Sequence, residues 1–340
     1  MQASIQEPSS WIYPTRGIAI RLFLTCWLVY SGHFTTNIVR EIYLALSIGD
    51  HLSFQVNDYA NLHPDIFEKE GYGWHIGSNP GVSMLAAIPY ALMRPLTDPI
   101  VERVQQARDA DPNAAPPEYN SPWPMAREFF AESWKRGFDI KFGLAAIATQ
   151  WFCMAPTSAL AVVLMFYLMR NLFRSDRTAL WLSLLYAFAT PVFYRTGFLN
   201  HNLMLGHIAF AGFLAIWNPW NSGYLTKNVR YLLAGVAGGT AVLFDYSGAI
   251  LLLALFIYGL AKEYADGDAG NLPGLGFRYF LGTLPPVLLL WFYQWQSFGN
   301  PFLPGQHWMP PVEWVDAGYQ GFTLPQLELI TMLGFDYRFG

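Results

Sequence analysis

Seven apolar stretches, set apart by short polar connections and one long mixed region, constrain this chain more than any other feature. They cover residues 17–34, 142–173, 179–194, 199–217, 231–244, 248–261 and 280–295. A helix crosses the hydrocarbon core of a bilayer with about 20 mostly apolar residues, or about 17 at the low end. Several of the stretches are short, as expected of tilted or half-length helices. Composition agrees: 53% of residues are hydrophobic and 13% charged, against about 25% charged in soluble domains. That balance excludes a disordered chain, and the net charge of −4 excludes a nucleic-acid binder with its basic surface. Cys26 and Cys153 both fall in apolar stretches, so they supply no disulfide framework. The expected fold class is all-α, a polytopic integral membrane protein.

Orientation is read from Lys and Arg in the short connections. Arg170, Arg174 and Arg177 mark one, Lys227 and Arg230 another, and Lys262 and Arg278 flank a third, whereas the turns between hold Arg195 alone or Asp245 with no base. Arg16 and Arg21 agree at the first stretch, which lacks a small-residue cleavage site and reads as an anchor. Residues 1–16 are then cytoplasmic. Residues 17–340 form one membrane domain, with an outer loop over 35–140, further spans over 142–295 and an outer tail over 297–340. Residues 81–93 are short and flanked or interrupted by Pro80, Pro89 and Pro95. If they lie at the interface there are seven spans. If they cross, residues 142–173 must be a hairpin broken near Pro156.

The outer loop carries the chemistry-bearing residues. Between 37 and 80 stand Glu41, Asp50, Asp58, Asp65, Glu68 and Glu70 against only Arg40 and Lys69, with His51, His63 and His75 among them. Carboxylates and imidazoles bind divalent cations and do general acid–base work; the plain alternative is a solvated acidic loop. Arg40 and Glu41 lie in NIVREIYLALSI (37–48), whose apolar spacing predicts an amphipathic helix on the membrane surface. Asp58 and Asp65 are further candidate bases, and Asp65 with His75 is a candidate pair for a divalent metal ion. In WHIGSNPGVSML (74–85), His75 and Asn79 precede Pro80-Gly81 and an apolar helix, a terminus that suits phosphate or needs only a simple cap. YRTGFLNHNLMLGH (194–207) adds Arg195, whose planar fork suits phosphate, and His201, with His207 deeper in the span, where an ionisable group is expensive. Asp245, in LFDYSG, faces the same compartment. No P-loop, HExxH or CxxC competes, and AGVAGG (234–239) reads as close helix packing.

These strings together resemble the GT-C superfamily of polytopic glycosyltransferases, in particular bacterial members similar to protein mannosyltransferases and aminoarabinose transferases. The resemblance runs over residues 17–340. It rests on REIYLALSIGDHLSF after the anchor, WHIGSNPGVSMLAAIPYAL, the LGHIAF histidine, Asp245-Tyr246, and YQWQSFGNPFLPG. It implies a GT-C-like helical bundle whose large first outer loop contains interfacial helices. It also implies a polyprenyl-phosphate-linked sugar as donor, a carboxylate at the start of the loop as base, and in some members a divalent metal. Where the family carries Asp ahead of an Arg-Tyr pair this chain has Val39, and Glu41 is the nearest substitute. The chain ends at GFDYRFG, where relatives enter further spans, so a shorter-than-family length is expected.

The resulting expectation is a glycosyltransferase of the bacterial inner membrane, active side outward. Glu41, Asp58 or Asp65 would activate the acceptor. Arg40, His75, Asn79, Arg195, His201, His207 and Asp245 would hold the donor. A transporter or lipid flippase, and a non-catalytic GT-C-like membrane protein, are the alternatives. No internal repeat of the kind transporters carry is visible.

Overall fold

The computed structural model describes residues 14–35, 40–111, 114–220 and 223–310, with residues 327 and 331. Residues 36–39, which begin the expected surface helix and include Val39, lie outside the described residues, as does most of the tail beyond 310.

Helices lie over all seven apolar stretches. They are α1 (Thr15–Ser31), the continuous pair α5 (Asp139–Thr149) and α6 (Ala155–Phe173), α7 (Asp176–Phe188), α9 (His201–Trp217), α10 (Lys227–Phe244), α11 (Gly248–Ala265) and α12 (Leu272–Phe298). By length and composition three are apolar enough to cross a membrane, over Asp139–Phe173, Gly248–Ala265 and Ala269–Phe298, and His201–Trp217 is apolar but shorter. α1, α7 and α9 fall short because they have 17, 13 and 17 residues. The chain is an all-α polytopic membrane protein, and many large apolar side chains on these helices, among them Leu28, Trp181, Ile250 and Phe280, face outward, as a lipid-facing surface requires.

No hairpin breaks at Pro156. Between α5 and α6 the helix runs on through a π turn at Gln150–Met154. Proline has no N–H to give to the preceding turn, and a π turn absorbs the fault: the Ala155 N–H reaches back to Gln150 O. The carbonyl of Trp151 accepts instead from the Trp27 indole at 2.8 Å.

The described residues of the expected outer loop are largely helical. α2 (Glu41–His51) and α3 (Gly81–Asp109) pack together, and α4 (Pro124–Lys135) leads into α5. The expected 81–93 segment is only the start of α3, which continues through Pro89, Pro95 and Pro99 for 29 residues. A hairpin not foreseen from the sequence, β1 (Ile66–Lys69) with β2 (Gly73–Ile76), pairs antiparallel with Phe67 opposite His75. Nor is α2 a surface helix: Tyr43, Leu44, Ala45 and Leu46 are all buried, because the hairpin, α3 and α5 close over it and both its faces meet protein.

The bundle has two chemically different ends. At one, Arg170 pairs with Asp176, Lys227 with Glu263 and Asp268, and Lys262 with Asp266. These are the base-marked connections, joined to the start of α1 through Thr15 and Asp176. At the other end lie the end of α1, the loop before α9 with its short helix α8 (Pro191–Arg195), the turn between α10 and α11, and the outer loop. α10 lies tightly on α12: a Cβ on Gly235 would stand 1.9 Å from Tyr279 O, and one on Gly282 2.1 Å from Leu232 O. Small residues at these positions let the two backbones touch, so the AGVAGG string is close packing as expected.

Candidate active site

Glu41 is the second described residue after residues 36–39 and occupies the first turn of α2. Its backbone carbonyl accepts from Ser83 Oγ at 2.8 Å, tying the start of α2 to the start of α3. His201 opens α9, whose N-cap is Asn200: the Asn200 side chain accepts from the Leu203 N–H at 2.8 Å. Asp245 caps the end of α10 and accepts from the Ser247 N–H. Three helix termini from distant parts of the chain therefore deliver three titratable groups to one place.

They form a continuous line. Nδ1 of His201 is 2.7 Å from Oε1 of Glu41, and Nε2 of the same ring is 3.6 Å from Oδ2 of Asp245. Arg40 Nε lies 3.6 Å from Glu41 Oε1, while its Nη1 pairs with Asp65. The Asp65 N–H donates to Nδ1 of His63 at 3.0 Å. Glu41 is 2% exposed, and a buried carboxylate is tolerated only with cationic or hydrogen-bonding company. Its Oε1, sealed from bulk water, accepts no aligned hydrogen bond from these partners; Arg40 and His201 hold it by proximity.

Beside this line lies a cavity of about 280 Å³ lined by Arg40, Glu41, His63, Asp65, Arg195, Phe198, Leu199, Asn200, His201 and Asn202. Arg195, exposed at its rim, pairs with no carboxylate among the described residues. A second, largely apolar cavity of about 170 Å³ shares the wall formed by Phe198 and Leu199. Chemically, the first chamber joins a proton acceptor, Glu41, to an uncommitted guanidinium suited to an anion.

Of the residues expected from sequence, the structure brings together Arg40, Glu41, Asp65, Arg195, His201 and Asp245. Four others stand apart. Asp58 is exposed and lies 3.5 Å from His51, because the short turn at Asn57–Tyr59 directs Tyr59 inward and Asp58 to solvent. His75 is buried in the hairpin with Nδ1 3.2 Å from Phe54 O and Nε2 3.0 Å from Tyr72 O. Burial, outweighing those two carbonyls, holds its pKa below the ordinary histidine value. Asn79 donates to Val242 O at 2.7 Å, fastening the start of α3 to the end of α10. His207 is buried on α9 with Nε2 3.1 Å from Ser158 Oγ. Asp65 and His75 are not brought together as a metal pair: Arg40 holds the carboxylate, and the ring lies in the hairpin with a backbone carbonyl beside each nitrogen. Among the described residues no three His, Cys, Asp or Glu are gathered for a metal ion.

Of the polar cavity residues, Asn200 and Asn202 were not expected from sequence, and His63 was noted among the loop histidines without being assigned to a site. His63 stands two residues from Asp65, and an Asn immediately before an apolar helix is a recognisable cap, so Asn200 at least carried a signal.

Residues 105–265 match the family model of dolichyl-phosphate-mannose-protein mannosyltransferase, a GT-C glycosyltransferase family. The matched stretch contains Arg195, His201 and Asp245; Arg40, Glu41 and Asp65 precede it. No curated protein and no solved structure matches the chain significantly. The match, over just under half of the chain, accords with a membrane glycosyltransferase of the GT-C type rather than with a transporter.

Proposed function

Starting from a GT-C glycosyltransferase domain in residues 105–265, we propose that the protein moves a sugar from a polyprenyl-phosphate donor to an acceptor hydroxyl in the cavity beside Glu41. The reaction takes place at the bundle end opposite the base-marked connections, which the charge bias assigns to the outside. The observation that carries this reading is Glu41, held between Arg40 and His201 at the wall of a polar chamber that Arg195 also lines. A carboxylate so placed takes the proton from the attacking hydroxyl. As the new bond to the anomeric carbon forms, the bond from that carbon to the phosphate oxygen breaks, and the electron pair leaves with the lipid phosphate. Arg195 meets the charge that develops there, with Arg40 nearby. His201 steadies Glu41 and is itself backed by Asp245.

Purified full-length protein in lipid nanodiscs, supplied with radiolabelled polyprenyl-phosphate mannose and a membrane extract as acceptor, is expected to release the sugar from its lipid. Glu41→Gln should lower the rate about 10²- to 10⁴-fold, the usual contribution of a general base. Full activity in that variant would remove Glu41 from the mechanism. No release by the unaltered protein from mannosyl, glucosyl or aminoarabinosyl donors would sink the reading.

A further inference from the structure

Gln150 lines the second, apolar cavity but not the polar chamber beside Glu41. It is the first residue of the π turn, 2% exposed, and makes two short hydrogen bonds through a single amide nitrogen. Nε2 donates to Tyr30 O at 2.7 Å and to Thr196 O at 2.6 Å. Tyr30 is the last but one residue of α1, and Thr196 follows Arg195 directly. The same two segments meet a second time where the Thr35 N–H donates to Gly197 O at 3.0 Å.

A buried amide with both N–H groups committed to backbone carbonyls fixes the position of whatever carries those carbonyls. Here that is the five-residue connection between Arg195 and His201. The π turn accounts for where Gln150 stands, since the extra residue rotates the turn ahead of Pro156 relative to α6. Pro156, which lines neither cavity, thus has a consequence there.

We propose that Gln150 is a positioning residue for the glycosyl transfer. It holds the 196–200 connection against the end of α1, so that Arg195 sits at the cavity rim and His201 against Glu41. The inference rests on the function proposed above, but its physical part, the tether, is measurable without activity.

The test uses purified full-length protein and Gln150→Met, which keeps the bulk of the side chain and removes both donors. Backbone hydrogen exchange over residues 195–202 should accelerate while α10 and α12 are unchanged. The KM for polyprenyl-phosphate mannose should rise about tenfold, as expected when a charge-assisted contact to phosphate is misplaced. Gln150→Asn, which retains the amide on a shorter stem, should fall between the two. A lower apparent kcat with unchanged KM would signal only a smaller folded fraction and overturn the proposal, as would unchanged exchange over 195–202. If Gln150→Met does not fold, an unchanged KM in Gln150→Asn has the same force. Faster local exchange in a protein that transfers no sugar would uphold the tether and defeat the glycosyl-transfer reading instead.

Discussion

At the scale of single residues, the chemistry turns on which charged groups have partners. Glu41 is crowded by Arg40 and His201, whereas Arg195 is the cavity cation with no carboxylate beside it among the described residues. Arg195→Ala should therefore weaken the donor, raising its KM about 10- to 100-fold, the range for a hydrogen bond to a charged group, with little change in thermal stability. Steady-state kinetics on the nanodisc protein would check this; an unchanged KM would separate Arg195 from the phosphate. His75 makes a prediction of the opposite kind, about stability alone. Its pKa is pushed down in the folded protein by burial, while in the unfolded chain it titrates near 6.5. Below about pH 6.5 the unfolded state thus binds the extra proton first, so acidification destabilises the fold, by at most about 1.4 kcal/mol per pH unit. Melting curves between pH 7.5 and 5 should fall less steeply for His75→Gln than for the unaltered protein. Equal slopes would mean that His75 does not contribute.

At the scale of elements, α2, the hairpin and α3 form a folded cap with α5. Its hinge is Asp50, near the end of α2, whose carboxylate meets Lys141 of α5 at 2.6 Å, Arg94 of α3 at 3.2 Å and the Tyr90 hydroxyl at 2.8 Å. Asp50→Ala leaves Lys141 without its carboxylate, while Arg94 keeps Asp98 at 3.1 Å. Both cations are partly exposed, so the cost is below that of a fully buried pair, about 2 kcal/mol, seen as a melting temperature lower by several degrees. No change would show that the three helices are held by apolar packing alone. This cap also shows where sequence reasoning stops. The apolar spacing of 37–48 suggested one buried face, yet α2 buries Tyr43, Leu44, Ala45 and Leu46 in succession. Periodicity reports a face only when the other side meets solvent or headgroups, and here a hairpin covers it. Similarly, Pro89 and Pro95 marked residues 81–93 as a short segment, yet α3 continues past both of them and past Pro99. Tertiary contacts, such as Arg94 Nη1 donating to Gly49 O at 3.0 Å, hold it there.

For the whole molecule, the distribution of charge between the two ends predicts sidedness. The native thiols do not interfere, since Cys26 and Cys153 are free and buried. A cysteine placed at exposed Asp58 should react with a membrane-impermeant maleimide on intact cells. One placed at exposed Arg177 should react only after permeabilisation. The reverse pattern would invert the proposed orientation.

Much of the class and plan was determined by sequence alone. Apolar run length, base-marked turns and the ordered strings of the outer loop pointed to an all-α membrane protein with GT-C character and to Glu41, Arg40, Asp65, Arg195, His201 and Asp245 as residues of interest. These are local signals, carried by composition and short spacing. Tertiary structure alone decided which of the candidates share a chamber. Asp58 and His75 sit in the same acidic loop as Glu41, but a turn sends one to solvent and a hairpin buries the other against backbone carbonyls. The union of Glu41, His201 and Asp245 spans some two hundred residues of chain. It depends on three helix termini meeting at one end of the bundle, and helix packing sets that meeting where no local pattern can record it.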